Sequence, residues 1–532
     1  MGISFEVQDT GKAMKMLKPA AVVVLLLAIS MILSACGGSA AEESSDDVII
    51  SGKVDSKYTE RDLSGDWDTA VASETQLSDE SVTITKEGVY IFSGTLEDGQ
   101  IIVDAQDTDK VQIVLNGAEI SCSDGPAILV ENADKTFITL AEGSENSVAD
   151  GTDYSSDEDE PWGAIFSRDT LTINGSGSLT VMGNYQNGIV SKDDLKITGG
   201  IISVTAKDDG IRGRDSVRIY DGEITVTAEG DGIKANNDED EEKGYVSVDG
   251  GSLTVSGVGS QGIDAYYVAQ ITGGTVEIDS ENEGIQARVV YMQDGELNIK
   301  ASDDCLNATN GNSDEKETAQ EGVSVEIVGG TLNLSTEAGD GLDSNGDLTV
   351  SGGLVTVQGS SGGAEVPMDY NGEAVITGGT VFAAGNSSMA QNFGEKSTQC
   401  SLLYCGNNYE AGTQICLTDS DGKELASFTA ERGFSAVLIS TPDMVQGASY
   451  FLKIGENEET VTLDDIITGE GGMGGMGRDG MPQGPEGSDD RGGGFGPGTG
   501  ELEGSDSGQP MQKPNEVTGE ATGEARIQGE KI

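Results

Sequence analysis

The sequence predicts an all-β fold: a parallel β-helix with about 22 residues per coil, an N-terminal β cap and a small C-terminal β domain. Three observations predict it. The first is a glycine that returns at a fixed interval: Gly188, Gly210 and Gly232 stand 22 residues apart, as do Gly262 and Gly284, and again Gly341 and Gly363. Between 284 and 341 the same place is taken by Cys305, in Asp304-Cys305-Leu306, and the longer gaps hold insertions over about 236–243 and 309–322. The second is alternation, since Glu223-Ile224-Thr225-Val226 and Thr275-Val276-Glu277-Ile278 send one set of side chains inward and the other outward when extended. The third is the turn chemistry: Gly-Gly pairs starting at 199, 250, 273, 329, 352 and 378 supply the positive φ of sharp turns, and no amphipathic helical stretch separates them. A coil this short cannot bury its apolar face alone, so coils must stack. Leucine-rich repeats share the length, but their Leu/Asn spacing is missing. A chain of 532 residues with 78 glycines and 5% aromatics suits an elongated repeat better than one compact core.

Taken in order, the chain opens with Lys12, Lys15 and Lys18, an apolar run over 20–33, and Leu33-Ser34-Ala35-Cys36-Gly37. That is the pattern of a bacterial lipoprotein signal, with translation starting as late as Met14 or Met16. Residues 1–35 would be removed and Cys36 acylated, which leaves the rest on the extracellular face of the cell membrane, touching it through the N-terminal lipid only. Residues 36–64 are polar and read as a tether. The β-helix is expected over 65–385, with its start capped by 80–165, where β-type runs such as Val82-Thr83-Ile84-Thr85 and Gln112-Ile113-Val114-Leu115 lie between Gly and Asp turns. A small β domain over 386–466 closes the other end. Residues 467–532 are rich in Gly, Met, Pro and acid without a hydrophobic period, and read as disordered; Gly471 to Gly477 lacks the strand, Lys-Ser/Thr and helix of a phosphate loop. Beyond Cys36 there are five cysteines, at 122, 305, 400, 405 and 416; Cys400 with Cys405 or Cys416 is the one plausible pairing, free thiols the alternative.

Charge narrows the function. The net charge is -63, which repels nucleic acid and attracts cations, and the absence of histidine removes Ser-His-Asp and Cys-His catalysis and His-liganded zinc. In a β-helix, equivalent residues of successive coils stack about 4.8 Å apart. Just before the repeating glycine stand Asn187, Asp209, Asp231, Gln261, Glu283, Asp304 and Asp340; two places after it stand Val190, Arg212, Lys234, Asp264, Gln286, Asn307 and Asp343. Carboxylates this close need a proton, a basic neighbour or a metal. The early coils have Arg212 and Lys234; the later ones have no cation in register. An all-oxygen set suits calcium, with candidate ligands Asp209, Asp231, Asp264, Glu283, Asp303, Asp304, Asn307, Asp340 and Asp343. The competing reading is that Asp-Gly is simply turn chemistry. The acidic runs at 157–160 and 238–242 are further, weaker candidates, and 419–422 reads as a hairpin turn rather than a calcium loop. Tyr185, Tyr220, Tyr266, Tyr267 and Tyr291 fall in no single column, so an aromatic platform for crystalline cellulose is not evident.

Ser123-Asp124-Gly125-Pro126-Ala127-Ile128, Ile197-Thr198-Gly199-Gly200, Asp209-Gly210-Ile211, Asp231-Gly232-Ile233-Lys234-Ala235 and Gly262-Ile263-Asp264-Ala265 resemble the carbohydrate-binding β-helix lipoproteins of clostridia over roughly 65–460. The resemblance implies a calcium-containing parallel β-helix, related in shape to pectate lyases, that binds cellulose or acidic plant polysaccharide such as polygalacturonate. Gln261, Glu283 and Cys305 depart from the pattern's Asp and Gly. A non-catalytic binding protein is therefore expected. The alternatives are a calcium-dependent polysaccharide lyase using Lys234 or Arg212 as base, and an adhesin or spacer without a glycan site.

Overall fold

Alternating apolar and polar residues between turns favour short strands, and short strands with one apolar edge must pair to hide it. In the computed structural model, which describes residues 54, 57–154, 162–311, 318–363 and 365–469, nearly all regular structure is strand. Cys36 and the signal sequence, the acidic run at 157–160 and the tail beyond 469 lie outside the described residues. In Glu223–Ala228 the side chains of Ile224, Val226 and Ala228 are buried while Glu223, Thr225 and Thr227 are exposed. The next strand repeats the pattern in register, Ile224 beside Leu253 and Val226 beside Val255.

Three parallel ladders result, an arrangement consistent with a parallel β-helix. The first is a 12-stranded sheet from Val82–Ile84 to Met368–Tyr370, with Ile189, Ile211, Ile233, Ile263, Ile285, Leu306, Leu342 and Met368 pairing in succession. The second contains Asp194–Ile197, Ser216–Ile219 and Tyr245–Val248; the third contains Ile201–Ala206, Glu223–Ala228 and Ser252–Val258. These two join at one end through Lys110–Ser121, which pairs with both Lys135–Leu140 and Glu145–Ala149. Inward Ile, Val and Leu of all three form one continuous core.

The repeating glycine owes its place to space. A Cβ on Gly210 would sit 2.3 Å from Val226 Cγ1 and 2.7 Å from the Gly232 carbonyl oxygen, so backbone of one coil rests on backbone of the next. The Gly-Gly turns obey the other rule, with φ of 82° at Gly274 for example.

Several expectations need correcting. The stack does not wait for residue 165: Val82 pairs with Ile101, Ile101 with Ile128, Ile128 with Ile165 and Ile165 with Ile189. The region read as an N-terminal cap thus continues the ladders, and its uneven steps conceal the repeat. Nor is the tether free up to 64. Thr59 caps a one-turn helix, Glu60–Leu63, whose Asp62 is fully buried against Lys135, Lys196 and Thr172. Tyr58 donates to Asp249 Oδ2 at 2.8 Å, and the Val54 N–H to Gln270 Oε1 at 2.8 Å. Polarity hid this strap, because most of its anchors are hydrogen bonds and the ion pairs of Asp62, with Val54 and Tyr58 adding only scattered apolar contacts. Gly363 is not the partner of Gly341: the Leu342 N–H donates to the Pro367 carbonyl at 3.2 Å and Leu342 pairs with Met368, while Gly363 lies in the intervening turn with φ of 84°.

At the C-terminal end Thr380–Gly385 pairs antiparallel with Phe434–Ser440, which also pairs with Ser401–Tyr409. This region is therefore joined to the third ladder by backbone hydrogen bonds, and it adds a second core around Phe382, Leu402, Leu417 and Tyr450 over a four-stranded sheet. Its last strand, Ile467–Thr468, pairs with Ser401 and Leu402, so ordered structure passes the boundary expected at 466. All five cysteines beyond Cys36 are free thiols, and the 419–422 segment is a hairpin turn between Gln414–Thr418 and Glu424–Thr429.

Candidate metal centre on the acidic face

The strands of the 12-stranded sheet are mostly three residues long in its C-terminal part, with the outer two side chains buried and the middle one turned outward, as in Ile233-Lys234-Ala235 and Leu342-Asp343-Ser344. Register makes these middle residues a column: Val190, Arg212, Lys234, Asp264, Gln286, Asn307, Asp343 and Asp369. Beside it runs the column that precedes the repeating glycine. There one carboxylate oxygen serves the backbone of the following coil. Asp209 Oδ1 accepts from the Asp231 N–H at 3.2 Å, Asp231 Oδ1 from the Gln261 N–H at 3.0 Å and Asp304 Oδ1 from the Asp340 N–H at 2.6 Å. Turn chemistry and ligand chemistry thus coexist, because the second oxygen is left to meet a cation.

Along the face, two halves differ in what that cation is. In the first, Arg212 lies 3.2 Å from Asp209 Oδ2, and Lys234 pairs with Asp231 and, at 3.1 Å, with Asp264 Oδ2. Asp264 was expected to lack a cation and does not, because Lys234 reaches across to the neighbouring coil. Burial lifts the Asp209 carboxyl to about 6, with Lys234 opposing the rise. Burial would lower the Lys234 ammonium, but Asp209, Asp231 and Asp264 hold it well above its ordinary value.

In the second half no ion pair among the described residues reaches Asp304, Asp340, Asp343 or Asp369. Burial raises Asp304 to about 7, helped by Asp303 and Glu283 against the Asp340 N–H. Burial raises Asp340 to about 9 despite the Val366 N–H, with Asp304 and Asp369 adding to the rise, and raises Asp343 to about 8 together with Asp304 and Asp369. Asp369 also rises through burial, though Gln391 donates to it. Oxygens of Asp340, Asp343 and Asp369 lie within 4.8 Å of one another. Beside them in register, Asn307 Oδ1 is buried with no hydrogen-bond partner among the described residues, while its Nδ2 donates to Glu283 Oε1 at 3.4 Å. Crowded carboxylates and an orphaned amide oxygen, with no sulfur or imidazole, fit a hard cation that takes many oxygen ligands.

Of the expected ligands, the structure gathers Asp340 and Asp343 with Asn307 and Asp304 adjacent, while Glu283 and exposed Asp303 act on them as neighbouring charges. Asp209, Asp231 and Asp264 belong instead to the half neutralised by Arg212 and Lys234. Asp369 was missed in the sequence. Met368-Asp369-Tyr370 lacks the Asp-Gly mark, and the turn over 359–367 shifts it out of the 22-residue interval; only its apolar-acidic-aromatic order could have found it.

A family model described as "Carbohydrate-binding domain-containing protein" matches residues 78–363 and 251–401. A protein of Acetivibrio thermocellus with the same description is 43% identical over 233 residues, covering 43% of this chain and 78% of the relative. A solved structure described as a "polysaccharide lyase-like protein from C. thermocellum, Gadolinium derivative" shares 34% identity, covering 43% of this chain and 99% of that one, with a TM-score of 0.41. With its matched region spanning most of the described ladders, the chain belongs to the family of carbohydrate-binding domain-containing proteins.

Proposed function

We propose that this protein is a lipid-anchored surface protein that holds acidic polysaccharide through calcium at the second half of the acidic face. The observation that carries the reading is the meeting of Asp340, Asp343 and Asp369 beside the orphaned oxygen of Asn307. Those four residues, with Asp304, would hold the ion. Bound there, calcium supplies positive charge that both protein carboxylates and sugar oxygens can share. Without it, a chain of net charge -63 would repel a uronate polymer. Family membership supports carbohydrate as the partner, and the Cys36 pattern supports the anchor and the extracellular location.

Binding is favoured over lyase chemistry because the candidate bases are engaged. Lys234 is held charged by three carboxylates and Arg212 is paired with Asp209, so neither is poised to accept a proton. The test is calorimetric titration with polygalacturonate in millimolar calcium and in EGTA, followed by ultraviolet absorbance for unsaturated uronides. Binding in calcium and none in EGTA, without new absorbance, is expected. Binding indifferent to calcium would sink the metal bridge, and rising absorbance would establish a lyase.

A further inference from the structure

Alternation in the third ladder turns every second side chain away from the core, and parallel register lines these side chains up. One such column runs Thr254, Glu277, Asn298, Asn333 and Thr356. Next to it stand Asp279, Lys300 and Gln358, and together they floor a groove of about 540 Å³. Glu431, from the C-terminal region, walls one end, with its N–H donating to Gln358 Oε1 at 3.1 Å. Beyond Thr356 the column meets Phe382, which packs 5.3 Å from the Phe428 ring, so the polar run stops there.

Three features select an occupant. Polar groups repeat at the strand spacing of about 4.8 Å, close to the length each sugar adds to an extended pyranose chain, so a chain laid along the stacking axis meets a partner at every sugar. The amides are already ordered, with Asn333 Nδ2 donating to Asn298 Oδ1 at 2.8 Å, which reduces the freedom lost on binding. Charge then decides the kind of glycan. Glu277, Asp279 and Glu431 outnumber Lys300, so an anionic chain is disfavoured. Among the described lining residues none is aromatic, which leaves no stacking platform for a flat crystalline face and favours hydrogen bonds to a single chain.

We propose that this groove is a second glycan site, independent of calcium, for one neutral, linear polysaccharide chain. The proposal rests on the reading of the protein as polysaccharide-binding and adds a site and a ligand class to it. The full chain would be titrated with cellohexaose and with polygalacturonate, each in EGTA and in millimolar calcium. Cellohexaose should bind in both buffers, and Asn298→Ala with Asn333→Ala should weaken it about tenfold, as loss of two hydrogen-bonding amides implies. The melting temperature and polygalacturonate binding should not change. Should the double variant unfold, Glu431→Ala, outside the ladder, decides the matter with an expected weakening of about threefold. Cellohexaose binding that ignores the variants, that needs calcium, or that is absent while polygalacturonate binds overturns the groove and leaves the acidic site standing. A parent that binds neither glycan overturns both readings.

Discussion

A carboxylate in the column before the repeating glycine has two oxygens with separate duties, one toward backbone and one toward a cation, and the identity of that cation sets how each residue responds to pH. Asp340 and Asp343 hold their protons in the folded state to about 9 and about 8, whereas the unfolded chain releases them near pH 4. Without metal, their contribution to stability is therefore greatest below about pH 4 and is lost progressively as pH rises to about 9. Asn in place of Asp340 keeps an acceptor for the Val366 N–H but carries no charge. In EGTA, Asp340→Asn should melt slightly above the parent at pH 5 and further above it at pH 9, the gap widening as pH rises. In millimolar calcium at pH 8 the variant's advantage should shrink, since calcium at a hundred times its dissociation constant stabilises the parent by about 2.7 kcal/mol. Asp231→Asn, facing Lys234, should leave the calcium response unchanged. Thermal melts across this grid check all three, and a uniform calcium response in parent and variants would reduce the acidic columns to turn chemistry.

Among the elements, those most legible in the sequence are those with a steric reason to repeat. Gly210 has no room for a Cβ, so the glycine column survives insertions and could be read directly. Where sterics relax, so does the sequence signal. The early coils step unevenly from Val82 to Ile189, and Pro367 rather than a glycine backs Gly341, which is why the register near 363, and with it Asp369, escaped. The strap over 58–64 was invisible for a different reason: one fully buried carboxylate fixes it. Burial pushes the Asp62 carboxyl up, but Lys135 and the Thr59 N–H hold it at about 2, so its stabilisation is present above about pH 4 and disappears as pH falls through about 2. Asp62→Ala leaves Lys135 buried without its ion-pair partner and Lys196 with Asp194 alone, which should cost about 3–5 kcal/mol. Hydrogen exchange should then rise first in the strap and the strands holding those lysines, and an unaltered exchange map would refute its role as a clamp.

At the scale of the whole molecule, the strap joins the segment expected to carry the lipid to the stacked ladders. It reaches Lys135, Thr172, Asp249 and Gln270, so load arriving from Cys36 would be distributed over several coils rather than peeling the first strand. Anchoring and folding are thereby separable. Under the proposed function the acyl group would provide attachment, while the contacts of Val54, Tyr58 and Asp62 hold the strap to the ladders whether or not a lipid is present. Cys36→Ala should remove acylation and release the protein from membranes into the medium. The released protein should melt at the parent's temperature with the same calcium gain, because the described strap meets Lys135, Thr172, Asp249 and Gln270 rather than the acidic face. Membrane fractionation of cells expressing the variant, with melts of the released protein in EGTA and calcium, checks both halves. Retention on the membrane would refute the lipoprotein assignment, and a lowered melting temperature on release would show that strap and anchor act as one device.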